Sequence, residues 1–239
     1  MAKMTLEGLT DRLVAAHGDQ LVAVVLYGSA ARSERVEKRS DYNVLLIVRS
    51  LTAAGLRATA STTRAWSAAG NRPPLMLTEA EWRSSRDVFA IEVADILDRH
   101  RVLAGAMPAE PSRVEPQHLR HQLEFEAMGK LLALRQGILA ADGDAKKELA
   151  LLVASRSAVL VLLRTLLRVH EEAPGDDSEE VVRRAAALAG FDPAPFLDVL
   201  AHAKGSASIP VARADAVLTE CHAGLQLLVA HVDRLVHGS

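Results

Sequence analysis

Residues 26–48 read LYGSAARSERVEKRSDYNVLLIV, and their reading decides the fold of the first half of the chain. The stretch opens inside LVAVVLY (21–27), an apolar β-branched run ended by Gly28, which is the pattern of a buried strand. Charged residues over 32–40 form a loop, and YNVLLIV (42–48) is a second buried strand. Gly28 lets a backbone come close to a ligand, and a helix beginning at Ser29 would aim free N–H groups at an anion. Ser29 adds a hydroxyl donor for a phosphate oxygen. Asp41 and Asn43 stand two apart on a strand, so their side chains leave one face. Two oxygen ligands beside a phosphate cradle are what a Mg²⁺ site for phosphoryl transfer requires. An ordinary strand–turn–strand with a solvated loop explains a Gly-Ser pair alone. The combination with Ser40-Asp41-Tyr42-Asn43 favours a site.

Outward from this block the pattern alternates. Leu6, Leu9 and Leu13 have helical spacing within Thr5–His17, and Thr52–Ala69 is an Ala/Thr-rich helix. PPLMLT (73–78) reads as a short third strand. Thr78 then opens TEAE, a capping box in which Glu81 reaches back, so a helix starts there. IEVADIL (91–97) fits strand and helix spacing alike; it is read as a helix running into a short strand near RVLAG. Strands separated by helices predict an α/β (or α+β) domain with a small mixed sheet.

The character changes at GAMPAEPSRVEP (105–116), whose three prolines mark a linker. The expected division is 1–108 and 109–239. Beyond the linker the chain is helical. Leu119, Leu123, Ala127, Leu131, Leu134 and Ile138 repeat at steps of three or four, while Lys147–His170 is apolar nearly all round, as a central helix would be. DDSEEVVRRAAALAG starts acidic and stops at Gly190, the polarity a helix favours. A shorter helix opens at Asp192-Pro193, and a last one carries Val217, Cys221, Leu225, Leu228, Val232 and Leu235. These antiparallel helices predict an all-α bundle.

Composition agrees. Apolar residues are 49% but aromatics only 3%, so Ala, Leu and Val dominate, a mixture suited to packed helices. With 28 basic against 30 acidic side chains there is no basic field for nucleic acid, which is not an expected partner. The single cysteine, Cys221, forms no internal disulfide and lies in an apolar stripe, so it reads as core. The N-terminus lacks a signal-peptide core, and SAVLVLLRTLL is interrupted by Arg164. A cytoplasmic chain without a membrane partner is expected, with homo-oligomer formation open. No internal repeat is present.

The block at 26–48 resembles the signature of the nucleotidyltransferase superfamily with the DNA polymerase β-like fold, to which aminoglycoside nucleotidyltransferases and minimal nucleotidyltransferases belong. Its pattern is a hydrophobic strand, Gly-Ser, a polar spacer, then Ser-Asp-x-Asp on a second strand. Gly28, Ser29, Ala31, Arg32, Ser40 and Asp41 match; Ser33 replaces a frequent glycine, and Asn43 replaces the second metal-binding aspartate. The resemblance implies that Gly28, Ser29, Arg32 and Ser40 hold the NTP and that Asp41, the catalytic residue, binds Mg²⁺ with position 43. It also implies a third carboxylate that helps activate an acceptor hydroxyl. The third strand ends at Thr78, where an aspartate would be expected, with Glu79 beside it; Glu92 and Asp95 are the other candidates. Asn43 can offer a neutral oxygen but no charge, and losing one electrostatic stabiliser costs about 3–4 kcal/mol of barrier. Two readings therefore stand: a transferase acting on a hydroxyl of a small molecule or protein, and a nucleotide-binding or partner-binding pseudoenzyme.

In the helical half, Ser157, Val161, Arg164 and Arg168 fall in one angular band, and the two arginines can grip an anion together or pair with acids such as Glu124 or Glu126. Arg164 lies six before His170, a spacing that resembles the motif of HEPN ribonuclease domains and implies an RNase-like toxin module as a third reading. His170 equally fits a helix C-terminus. His100, His118 and His121 show no metal spacing, and the last two read as surface.

Overall fold

In the computed structural model, residues 3–31, 42–108 and 114–237 are described. The chain divides into two compact units, Met1–Val114 and Glu115–Ser239. The first holds a four-stranded sheet: β1 (Leu21–Tyr27), β2 (Asn43–Val48), β3 (Leu75–Thr78) and β4 (His100–Gly105), in the spatial order β3-β2-β1-β4. Its helices are α1 (Leu6–His17), α2 (Ala53–Ala68), α3 (Glu79–Ser84) and α4 (Ala90–Asp98).

The strands follow from their side chains. Val24, Leu26, Val44, Leu46 and Val48 pack into one cluster with Leu9 and Leu13 of α1 and Trp66 of α2. Ala23, Val25, Leu45 and Ile47 alternate with them, so they point to the opposite face, and they are fully buried too. A sheet covered on both faces needs apolar residues at consecutive positions, which is why β1 and β2 read as continuous apolar runs. Thr5 caps α1, its Oγ1 accepting from Gly8 N at 3.1 Å. Thr78 and Glu81 form the predicted capping box at α3. The ambiguous segment before β4 is helical, with Ala90, Ile91, Val93, Ala94 and Ile96 buried.

Strand direction was not legible. β1 pairs antiparallel with β2 and with β4, whereas β3 runs parallel to β2, with Leu75 beside Leu45 and Thr78 beside Val48. The sheet is therefore mixed, and its two ends carry different residues.

The second unit is helical among its described residues: α5 (Pro116–Ala141), α6 (Ala145–Val169), α7 (Ser178–Ala189), α8 (Ala194–Lys204) and α9 (Ala214–His237). Pro116 is the first helical residue of α5, where a missing N–H costs nothing. α6 packs against α5, α7, α8 and α9. By length and composition it would also pass for a membrane span, although Arg164 interrupts its apolar run. Leu152, Leu162, Leu163, Leu166 and Leu167 of this helix lie in the core of the bundle. Cys221 sits in the core this packing creates, and burial, then Glu220 and Asp198, push its thiol up to about 12.

Candidate functional site

Tyr27, the last residue of β1, lies opposite Asn43 of β2 and His100 of β4. This end of the sheet therefore gathers the end of one strand and the beginnings of two others. Gly28 follows at φ +77°, a conformation that side-chain-bearing residues rarely adopt. Its N–H donates to the Arg99 carbonyl at 2.9 Å, which ties the turn to the segment leaving α4. A Cβ added at Gly28 would stand 3.2 Å from Nδ2 of Asn43, so the Asn43 amide lies against the turn. Residues Gly28–Ala31 form a single 3₁₀ turn held down by Ala30, which is buried in the cluster with Leu26 and Val44. The expected helix from Ser29 is thus a 3₁₀ turn as far as the described residues go. Arg32, Ser40 and Asp41 lie outside them.

The start of β2 is held by aromatic packing. The Tyr42 ring lies 5.7 Å from that of Trp66, whose Nε1 donates to the Arg72 carbonyl at 2.9 Å. Beside it, the Tyr27 hydroxyl is raised above its ordinary range, by burial first and then by the Glu92 carboxylate; Arg72 opposes this and Asp95 adds to it. Two carboxylates and one guanidinium thus act on a phenol next to the glycine turn. Glu92 and Asp95 are three apart on α4, one face of the helix, with Glu92 exposed and Asp95 half-buried. His100 Nδ1 lies 2.9 Å from the Ile96 carbonyl.

Among the four positions considered for a third carboxylate, the sheet separates two pairs. Thr78 lies beside Val48, at the far end of β2 from Asn43. Glu79 is in the first turn of α3 and pairs with Arg83 at 2.6 Å. Parallel pairing of β3 removes both from the glycine turn, a distance of five residues or about 16 Å along a strand. Glu92 and Asp95 are at the Tyr27 end. Sequence reasoning missed Tyr27 and Arg72 because nothing in local spacing says which residues a sheet end collects.

A hard cation takes oxygen ligands, and Asn43 carries a neutral amide oxygen with less charge than an aspartate at 43 would bring. Among the described residues no group of three or more His, Cys, Asp or Glu converges as a metal site.

In the bundle, Arg164 Nη2 donates to Ser178 Oγ at 3.2 Å, while Glu126 pairs with Lys130 at 3.0 Å. His170 caps the C-terminus of α6 and its Nε2 lies 3.1 Å from Nε2 of His231. His121 is exposed and touches Arg120, and His118 is half-buried.

No family model matches the sequence, and no curated protein matches it. Among solved structures, the chain is similar to spectinomycin adenyltransferase AAD(9) from Enterococcus faecialis, determined with ATP and spectinomycin. The TM-score is 0.57 at 10% identity, covering 94% of this chain and 97% of that one. At that identity the likeness is one of fold: a nucleotidyltransferase-like fold with a small mixed sheet followed by a helical region.

Proposed function

We propose that this chain binds a nucleoside triphosphate with Mg²⁺ at the Gly28 end of the sheet and transfers a nucleotidyl group to a hydroxyl of a small molecule or protein. The observation that carries the reading is the Asn43 amide against the Gly28 turn, beside a phenol acted on by Glu92 and Asp95. The similar fold of a protein determined with ATP and a small-molecule acceptor supports it.

The residues divide the work. Gly28, Ser29, Arg32 and Ser40 hold the triphosphate, the glycine by admitting phosphate oxygens close to its backbone. Asp41 and Asn43 hold Mg²⁺, which when bound offsets charge on the attacking and leaving oxygens. The acceptor hydroxyl oxygen bonds to the α-phosphorus, the bond to the pyrophosphate oxygen breaks, and the hydroxyl proton passes to the Glu92 or Asp95 carboxylate. Asn43 favours a second reading on the same site: with one negative charge fewer, binding persists while turnover is weak or absent.

Purified protein with α-labelled ATP, Mg²⁺ and a panel of hydroxyl acceptors tests the reading. Label transfer abolished by Asp41→Ala supports the transferase, and saturable Mg²⁺-dependent ATP binding without transfer supports the second reading. Absence of both sinks the proposal.

A further inference from the structure

α5 buries one face and leaves a second apolar stripe in solvent. Phe125 is 77% exposed, Met128 44%, Leu132 48% and Leu139 80%. At 100° per residue these four fall within an arc of about 60°, roughly opposite the buried Leu123, Ala127, Leu131 and Leu134. Phe125, Leu132 and Leu139 are spaced by seven, with Met128 three after the first, which is the a/d spacing of a helix–helix seam. The seam runs about 21 Å along the helix.

Two further features accompany it. Gly129 lies in the middle of α5, where a glycine destabilises a helix relative to alanine, and a Cβ there would meet nothing within 4 Å. Gly137 on the same helix is explained by Leu151, whose Cδ1 would be 2.6 Å from an added Cβ. Packing of this chain therefore accounts for one glycine and not the other. On one flank of the seam stand Glu124 and Arg135, opposite charges eleven residues apart and symmetric about the Gly129–Lys130 level.

A two-fold interface must be self-complementary: if one residue meets another, the reverse contact forms as well. With two copies of α5 antiparallel and the axis at Gly129–Lys130, like flanks face each other. Glu124 of each copy is then level with Arg135 of the other. Met128 and Leu132 of both copies surround the axis, Phe125 of each copy is level with Leu134 of the other, in the gap between its Leu132 and Leu139, and Leu139 is level with Arg120. We propose that the Phe125–Leu139 face of α5 is the interface of a two-fold homodimer, with α5 packed antiparallel on α5 of a second copy. A single helix pair is smaller than the usual interface of about 800 Å² per partner, so the dimer is reversible.

Sedimentation velocity of the full chain from about 1 to about 200 µM tests this. The wild type is expected to shift from monomer to dimer over that range. Leu132→Glu, at an exposed position, is expected to remain monomeric with an unchanged circular dichroism spectrum and melting curve. Glu124→Arg weakens the dimer at least about tenfold, and adding Arg135→Glu restores it. A wild type that stays monomeric at the highest concentration, or a dimer indifferent to Leu132→Glu, overturns the proposal. A double charge variant no tighter than Glu124→Arg overturns the antiparallel register.

Discussion

The two ends of the four-stranded sheet use polar residues and glycine for different purposes. At the far end, every special residue has a structural duty. Thr78 and Glu81 cap α3, Glu79 pairs with Arg83, and Gly105, at φ +73°, leaves room for the Val22 carbonyl, which an added Cβ would strike. At the other end, the Asn43 amide lies against Gly28, while burial first, and then the Glu92 and Asp95 carboxylates, raise the Tyr27 phenol above its ordinary range. These groups gather where the ends of β1, β2 and β4 meet beside the glycine turn, which is why function is sought at this end.

The largest effect expected to sharpen this contrast is a gain. Asn43→Asp supplies the missing charge and is expected to raise label transfer about a hundredfold to a thousandfold, or about 3–4 kcal/mol of barrier. An unchanged rate would mean that charge at position 43 does not limit the chemistry. Next come paired glycine substitutions. Gly105→Ala drives a Cβ into backbone and is expected to cost about 3 kcal/mol in urea unfolding. Gly28→Ala meets only the mobile end of a side chain, at 3.2 Å, and is expected to cost about 1 kcal/mol while weakening ATP binding about tenfold. Equal unfolding costs, with binding unaffected, would break the comparison.

Thr78→Ala removes a helix cap and is expected to cost about 1 kcal/mol with no change in ATP binding. The smallest effect is in the pH dependence of Tyr27. Its folded-state value is raised above the ordinary phenol value of about 10, so its contribution to stability is fully present below that pH. The contribution is lost as pH rises through the folded value. Absorbance titration should show Glu92→Gln moving the phenol back toward its ordinary value; no movement would place the carboxylate elsewhere.

Much of this was legible in sequence. The apolar runs at 21–27 and 42–48 announce strands buried on both faces, and the TEAE box announces α3, because both signals act within a few residues. Strand direction is a different matter. The parallel course of β3 is set by how its chain returns after α2, and that choice moves Thr78 and Glu79 to the wrong end and leaves Glu92 and Asp95 near Tyr27. For the same reason Gly28, Asn43 and Asp41 could be picked out together by local spacing, while Tyr27 and Arg72 could not. The α5 seam was hidden behind the stronger signal of the buried stripe on the same helix.

Isothermal titration of Mg²⁺–ATP into the wild type and into Gly28→Ala tests the central claim most directly. Saturable binding by the wild type, weakened about tenfold in the variant while its melting curve stays cooperative, is the predicted result. Wild-type protein that takes up no heat from Mg²⁺–ATP, or binding indifferent to the Gly28 substitution, would contradict the assignment of this sheet end as a nucleotide site.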